Sequence, residues 1–134
     1  MKRIYSIFIC TIGLMFVTHN SINANKSEWE QMIYAISKVE SSIDDTAYNE
    51  KSGALGRFQM KKIYVDEVNR ILTLRKSKKR YAYSDRTDLK KAREMFDIFQ
   101  SYHNPRKDIN RAIRLHRGFY SASYESEVKQ IINR

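Results

Sequence analysis

A single cysteine, a single proline and four glycines stand in a chain of 134 residues, and each scarcity removes a class of protein. One thiol can form neither an internal disulfide framework nor a four-thiolate zinc site. So little proline and glycine excludes collagen-like and low-complexity architecture. Acidic residues are also in deficit. Fifteen Asp and Glu against 25 Lys and Arg leave a formal charge of +10, which points to an anionic partner without choosing between nucleic acid, membrane and bacterial wall. A composition 42% hydrophobic and 30% charged argues against wholesale disorder. The length fits one domain with a modest core.

Long apolar runs are scarce too. The one that stands out, Ile4–Val17, follows Lys2 and Arg3. As a helix it would span roughly 21 Å, short of the roughly 30 Å hydrocarbon core. A polar segment then ends at Ala24. This is the order of a secretory signal peptide, so residues 1–24 are expected to be an export signal and residues 25–134 the working domain. The mature protein would be periplasmic or extracellular, with no stable membrane span. Cys10 and the charges of Lys2 and Arg3 would leave with the signal. Ile9 stands where a lipoprotein would carry a small residue before Cys10, which argues against lipidation.

What remains reads as about five helices with long loops and little or no sheet, a mainly α domain. Ser27-Glu28-Trp29-Glu30 is a capping box, and Trp29, Met32, Ile33, Ile36, Val39 and Ile43 follow at helical spacing. Phe58, Met60, Ile63, Tyr64, Val68, Ile71 and Leu72 predict a second helix from near Met60. Asp88 caps a third, with Leu89, Ala92, Met95, Phe96, Phe99 and Tyr102 inward, stopped at Asn104-Pro105. Ile109, Ala112, Ile113 and His116 mark a fourth, ended near Gly118. Tyr124, Val128, Ile131 and Ile132 mark a fifth. No run of strict alternation and no Asn-Gly hairpin signal accompanies them. Asp44–Arg57 reads as a long loop with turns, and Arg75–Tyr83 as an exposed basic loop.

One carboxylate falls on the wrong face. With Trp29 at 0° and about 100° per residue, Glu40 lies at about 20°, inside the apolar stripe. A carboxylate on a buried stripe loses hydration and is driven toward its protonated form, the condition a general acid needs near neutral pH. A tilt to solvent, or a structural pair with one of the many Lys and Arg, is the competing expectation.

Glu40-Ser41 precedes Ala47 and then Gly53-Ala54-Leu55-Gly56-Arg57-Phe58-Gln59-Met60. This stretch resembles the soluble lytic transglycosylase signature: E-S, a polar loop with an Ala, then G-A-x-G-x-x-Q and an apolar residue entering a helix. Six positions agree in identity and order across 20 residues. Tyr64–Ile71, Asp85-Arg86 and Met95-Phe96 resemble a compact bacterial and phage-associated branch of these lysozyme-like proteins. Near the C-terminus that branch has H-N-G-G, then Tyr and Val four apart. Here stand His116-Arg117-Gly118-Phe119, then Tyr124 and Val128, with Arg117 and Phe119 departing from the pattern.

The resemblance implies a lysozyme-like fold that cleaves the β-1,4 bond between N-acetylmuramic acid and N-acetylglucosamine in peptidoglycan. Glu40 would protonate the glycosidic oxygen, then take the proton of the muramyl 6-hydroxyl as it attacks C1. Ser41, Gln59 and His116 would contact or support the glycan. Tyr83 and Tyr124 either stack on sugar faces or are ordinary core aromatics. A hydrolase usually needs a second carboxylate, and Asp44, Asp45, Glu50 and Asp85 occupy no motif position for one. The transglycosylase is therefore preferred to a hydrolytic lysozyme.

No cofactor is expected, and His19, His103 and His116 lack metal-ligand spacing. The expected partners are glycan strands and other anionic envelope polymers. Nine Lys and Arg between Arg75 and Arg93, interleaved with Tyr81 and Tyr83, would also suit a nucleic-acid binder. No nucleic-acid motif accompanies them and an export signal argues against access, so no nucleic acid is expected. A catalytically inactive wall-binding protein is the remaining alternative.

Overall fold

A computed structural model describes residues 27–134, so the signal peptide expected over residues 1–24, with Cys10 and His19, lies outside the described residues. Five helices follow in order: α1 (Glu28–Ser41), α2 (Lys62–Leu74), α3 (Leu89–His103), α4 (Ile109–Arg117) and α5 (Ala122–Ile132). The protein is mainly helical, as expected. Two strands of two residues, β1 (Tyr48–Asn49) and β2 (Ala54–Leu55), and a 3₁₀ turn at Tyr83–Thr87 complete it. None of the described helices is long and apolar enough to cross a membrane.

Local chemistry starts and stops these helices much as the sequence reading expects. Ser27 caps α1 by accepting from the Glu30 N–H at 3.3 Å, which satisfies a donor the helix itself cannot. Asp88 caps α3 and Asp108 caps α4 in the same way, at 2.9 and 2.6 Å. Gly118, at φ 83°, closes α4. α1 packs along α5 and against α4, and α2 lies on α3. Between them Met32, Ile36, Phe58, Val68, Met95, Phe96, Ile113 and Val128 form one buried cluster. Phe58 stacks on Phe96 with ring centroids 5.6 Å apart. Truncating either ring in such a core costs about 3–5 kcal/mol.

Several expectations need correction. Ile43 does not extend the stripe of α1, because the helix ends at Ser41 and Ile43 adopts φ 71°. Phe58 and Met60 precede α2 rather than opening it, and Met60 forms a β-bridge with Leu55. Ile63 is 73% exposed, since it lies about 160° around the helix from Val65, which is buried. Leu89 and Tyr102 are also exposed. Leu89 opens α3 at the lip of a surface depression, and Tyr102 lies beneath the Arg70 guanidinium at 5.4 Å. The Asp44–Arg57 loop contains the short antiparallel hairpin, pairing Tyr48 with Leu55 and Asn49 with Ala54.

The basic segment is an irregular loop, but it is anchored. Tyr81 is buried. Its backbone is clamped on both sides by the Asn69 amide at 2.9 Å, and its hydroxyl donates to Glu94 at 2.7 Å.

Two expected outcomes follow from this packing. Gly56 sits at φ 80°, and a Cβ there would run into the backbone carbonyl of Arg86. Gly56→Ala should cost about 3 kcal/mol, read as a lower urea midpoint with an unchanged m-value. Hydrogen bonds from Arg70, and less from His103, hold Glu67 down at about 2. Arg114, then Lys129, hold Glu125 at about 2. A depressed carboxyl stabilises the fold above its unfolded value of about 4.5 and loses that contribution as pH falls toward 2. Melting temperature should therefore fall through that window, with Glu67→Gln melting lower than wild type near pH 6 and converging on it near pH 2.

Candidate active site

Glu40 enters the site on the last turn of α1. The helix stops immediately after it because Ser42 and Ile43 both take left-handed conformations, at φ 55° and 71°. Their N–H groups donate to the carbonyls of Lys38 and Ser37, closing the helix end. A β-branched residue with positive φ is uncommon and costs energy, so this reversal is held by what surrounds it. Gln59, at φ 47°, is a third such residue, at the far end of the same loop. Strained backbone of this kind is concentrated at functional sites.

The loop between them is fastened by side chains that the sequence reading placed elsewhere. The Ser41 hydroxyl lies within 2.9 Å of the Arg57 carbonyl and 3.2 Å of the Ser37 carbonyl, and accepts from the Asp44 N–H at 3.1 Å. It is spent on the chain reversal and does not line the cleft that holds Glu40. Arg57 and Asp45 form a two-pronged ion pair at 2.7 and 3.1 Å. The Gln59 amide donates to the carbonyls of Ala47 and Gly56, both at 3.0 Å, so its donors hold the loop. Gln59 does line the cleft, with its Oε1 as the group left for a ligand.

Arg86 is the largest surprise. Counted with the basic run in the sequence, it is buried, with burial pulling its pKa down. Its guanidinium donates to the carbonyls of Tyr83 (2.6 Å), Gly53 (3.0 Å) and Met60 (2.9 Å). It thereby ties the hairpin and the entry to α2 onto the 3₁₀ turn.

The resulting cleft encloses about 530 Å³ between the hairpin, the start of α2 and the C-terminal end of α4. The Glu40 side chain is 11% exposed there. Among the described residues that line the cleft, Glu40 is the one carboxylate. The other acids considered from the sequence are occupied or elsewhere. Asp44 accepts from the backbone and hydroxyl of Thr46, which lowers its pKa. Asp45 pairs with Arg57, Asp85 with Lys91 at 2.7 Å, and Glu50 is exposed on the hairpin. A larger depression of about 720 Å³ contains Glu30 and Glu94, but Arg93 and Lys79 engage both, each at 2.6 Å.

Opposite Glu40 stands His116. Its Nε2 donates to the Phe58 carbonyl at 2.9 Å and lies 3.8 Å from Glu40 Oε1. Phe58, Tyr64 and Phe96 surround the ring. Burial lowers the imidazole pKa, outweighing the pull of the Glu40 charge and the Phe58 carbonyl. The ring is therefore neutral, with Nε2 carrying the proton and Nδ1 an unpartnered buried acceptor.

Two phenols complete the site. The Tyr124 hydroxyl faces Glu40, and burial, then the Glu40 charge, hold its pKa well above the ordinary value. The pair does not meet hydrogen-bond geometry, so the hydroxyl remains unpartnered. The Tyr64 hydroxyl, on the cleft wall, is likewise buried without a partner. Buried polar atoms are normally satisfied. Among the described residues the three that are not belong to His116 and Tyr124, beside Glu40, and to Tyr64, stacked on Phe99.

No family model, curated protein or solved structure matches the chain.

Of the residues named from the sequence, Glu40, Gln59, His116 and Tyr124 come together. Tyr83 does not join them. It is 43% exposed on the 3₁₀ turn, where its hydroxyl donates to Asp66 at 2.8 Å and Lys62 lies over its ring. Lys61, Tyr64, Phe99 and Arg117 also border the cleft and were not picked out as site residues. Tyr64 and Phe99 read as ordinary core positions because they keep helical spacing, and no local signal marks them otherwise. Arg117 lies over the rings of Phe119 and Tyr124, at 5.0 and 5.2 Å.

The protonation of His116 is open to direct measurement. Nitrogen-detected imidazole spectra should show the Nε2–H tautomer at neutral pH, with charging only below the ordinary histidine value of about 6.5. A ring already charged near neutrality would contradict the neutral assignment.

Proposed function

We propose that this protein is an exported peptidoglycan lytic transglycosylase in which Glu40 acts first as acid and then as base. The observation that carries this reading is a lone carboxylate in a cleft, 11% exposed at the end of a helix with one buried face. Two-carboxylate glycosidases place a second acid across the scissile bond, to activate water or to trap the sugar. A cleft with one acid suits a reaction whose nucleophile is already part of the substrate.

In that reaction Glu40 gives its proton to the glycosidic oxygen as the bond to C1 of N-acetylmuramic acid breaks. The muramyl 6-hydroxyl attacks C1, and its proton passes to the Glu40 carboxylate. One C–O bond breaks and one forms, the acid is regenerated, and no water is consumed. His116, neutral and tethered to the Phe58 carbonyl, stands 3.8 Å from the carboxylate. Tyr124 offers a hydroxyl beside the carboxylate. Gln59 fixes the glycine loop, so that backbone can approach a bulky glycan. The motif from Glu40-Ser41 to Gln59 supports the substrate class.

Digestion of purified peptidoglycan, read by mass spectrometry, tests the proposal. Wild type should release muropeptides with 1,6-anhydro ends, lighter by one water than hydrolytic products. Glu40→Gln should still bind the wall, with release reduced about a thousandfold. Products with reducing ends would instead assign a hydrolytic lysozyme. Wall binding without release by wild type would leave a binding protein, and undiminished release by Glu40→Gln would remove the acid from Glu40.

A further inference from the structure

The Glu40 cleft does not end at α4. It shares Phe99, Leu115, Gly118 and Phe119 with a second depression of about 560 Å³. That depression shares His103, Asp108 and Arg111 with a third of about 380 Å³ at the α3–α4 corner. The three depressions thus adjoin one another in a row from Glu40 to Arg106, and together they are called the groove below.

The chemistry of the groove changes along its course. Its middle carries two exposed aromatics, Phe119 at 60% and Tyr120 at 68%, presented just after the Gly118 turn. Its far end is cationic. Arg114 is held by Glu125 at 3.0 Å and lies over the Tyr120 ring. Arg111 donates from Nε to the His103 carbonyl at 2.9 Å, leaving its outer nitrogens free. Arg106 is exposed and makes no hydrogen bond or ion pair among the described residues. The carboxylate facing them from within the groove, Asp108, already caps α4. Two guanidinium groups therefore stand available beside an aromatic surface.

A peptidoglycan glycan gives such a surface nothing to pair with. The lactyl carboxyl of each stem-bearing muramic acid is consumed in an amide, so the sugar backbone carries no charge. The carboxylates lie on the peptide stem, next to its methyl and methylene groups. A phosphate polymer would supply charge but no apolar side chains for Phe119 and Tyr120.

We infer that the groove beyond the Glu40 cleft is a subsite for the acidic peptide stem, with Arg106 and Arg111 pairing its carboxylates and Tyr120 packing its aliphatic groups. The inference deepens the proposed reading of Glu40 and rests on it for the identity of the strand. The stem hangs from the sugar ring whose C1 reacts, so it leaves the substrate close to the cleft that the groove adjoins.

The test uses the full mature chain and the free N-acetylated stem pentapeptide, L-Ala-γ-D-Glu-L-Lys-D-Ala-D-Ala. Titration followed by NMR should perturb signals between residues 103 and 120. Amidating both peptide carboxylates, or introducing Arg106→Glu, should each weaken binding at least about fivefold. Arg106 is exposed, so that variant should fold. Arg111→Gln, checked by its melting temperature, should act in the same direction. Unperturbed signals in this region, equal affinity for the amidated peptide, or polyphosphate displacing the peptide at equal charge concentration would overturn the assignment. The titration needs no glycosidic cleavage. A null result here leaves the reading of Glu40 standing, and absence of anhydro products leaves peptide binding standing.

Discussion

A buried guanidinium fixes the geometry on which the site depends. Arg86 has no carboxylate partner among the described residues, and its charge is met by the carbonyl oxygens of Tyr83, Gly53 and Met60. An unpaired charge inside a protein is costly unless its hydrogen-bonding capacity is filled, so these three backbone segments are held to one arrangement. Gly56 presses against the Arg86 main chain so closely that no side chain fits there. The loop from Ser42 to Met60 cannot slide, and its strained residues are kept in place by contacts outside them. Arg57 with Asp45, Ser41 and the Gln59 amide then close the loop from within.

This rigid frame allows a different economy around Glu40. Elsewhere among the described residues buried polar groups are satisfied, as the clamp on Tyr81 and the bonds of Gln100 and Asn104 illustrate. The cleft leaves Tyr64, His116 and Tyr124 with unmatched buried atoms, the last two beside Glu40, and such groups lower stability. The imidazole 3.8 Å from Glu40 is itself held neutral by burial.

The strong positive charge takes on a narrower meaning in three dimensions. Of the basic residues between Arg75 and Arg93, Arg86 is buried, and Lys79, Lys91 and Arg93 are matched by Glu94, Asp85 and the Glu30–Asp97 pair. Three of the nine are thus ion-paired and one is buried, and Lys79 with Glu94 ties the loop to α3, while Lys76, Lys78 and Lys90 stay exposed without an ion pair among the described residues. Exposed cations near the cleft include Lys61 on its rim and Arg106 and Arg111 at the α3–α4 corner.

The amino-acid sequence by itself determined the helices and the place of Glu40 on the inward side of α1. Caps, periodic apolar residues and the Gly118 stop act within a turn or two of chain, so Ser27, Asp88 and the stripes of α1 to α5 were legible in one dimension. Glu40 was legible because its angular position on α1 depends on residues of the same helix. Where the pattern met a helix end or the surface it misled, as at Ile43 and Ile63, because angular position does not reveal whether anything packs there. The roles of Ser41, Tyr83, Arg86 and Tyr64 were settled by the tertiary structure alone. Each is decided by a partner far along the chain: Arg57 for Ser41, Asp66 for Tyr83, Gly53 and Met60 for Arg86, Phe99 for Tyr64. No local pattern encodes such a meeting, since it arises only when the helices pack and bring distant side chains within hydrogen-bonding or van der Waals reach.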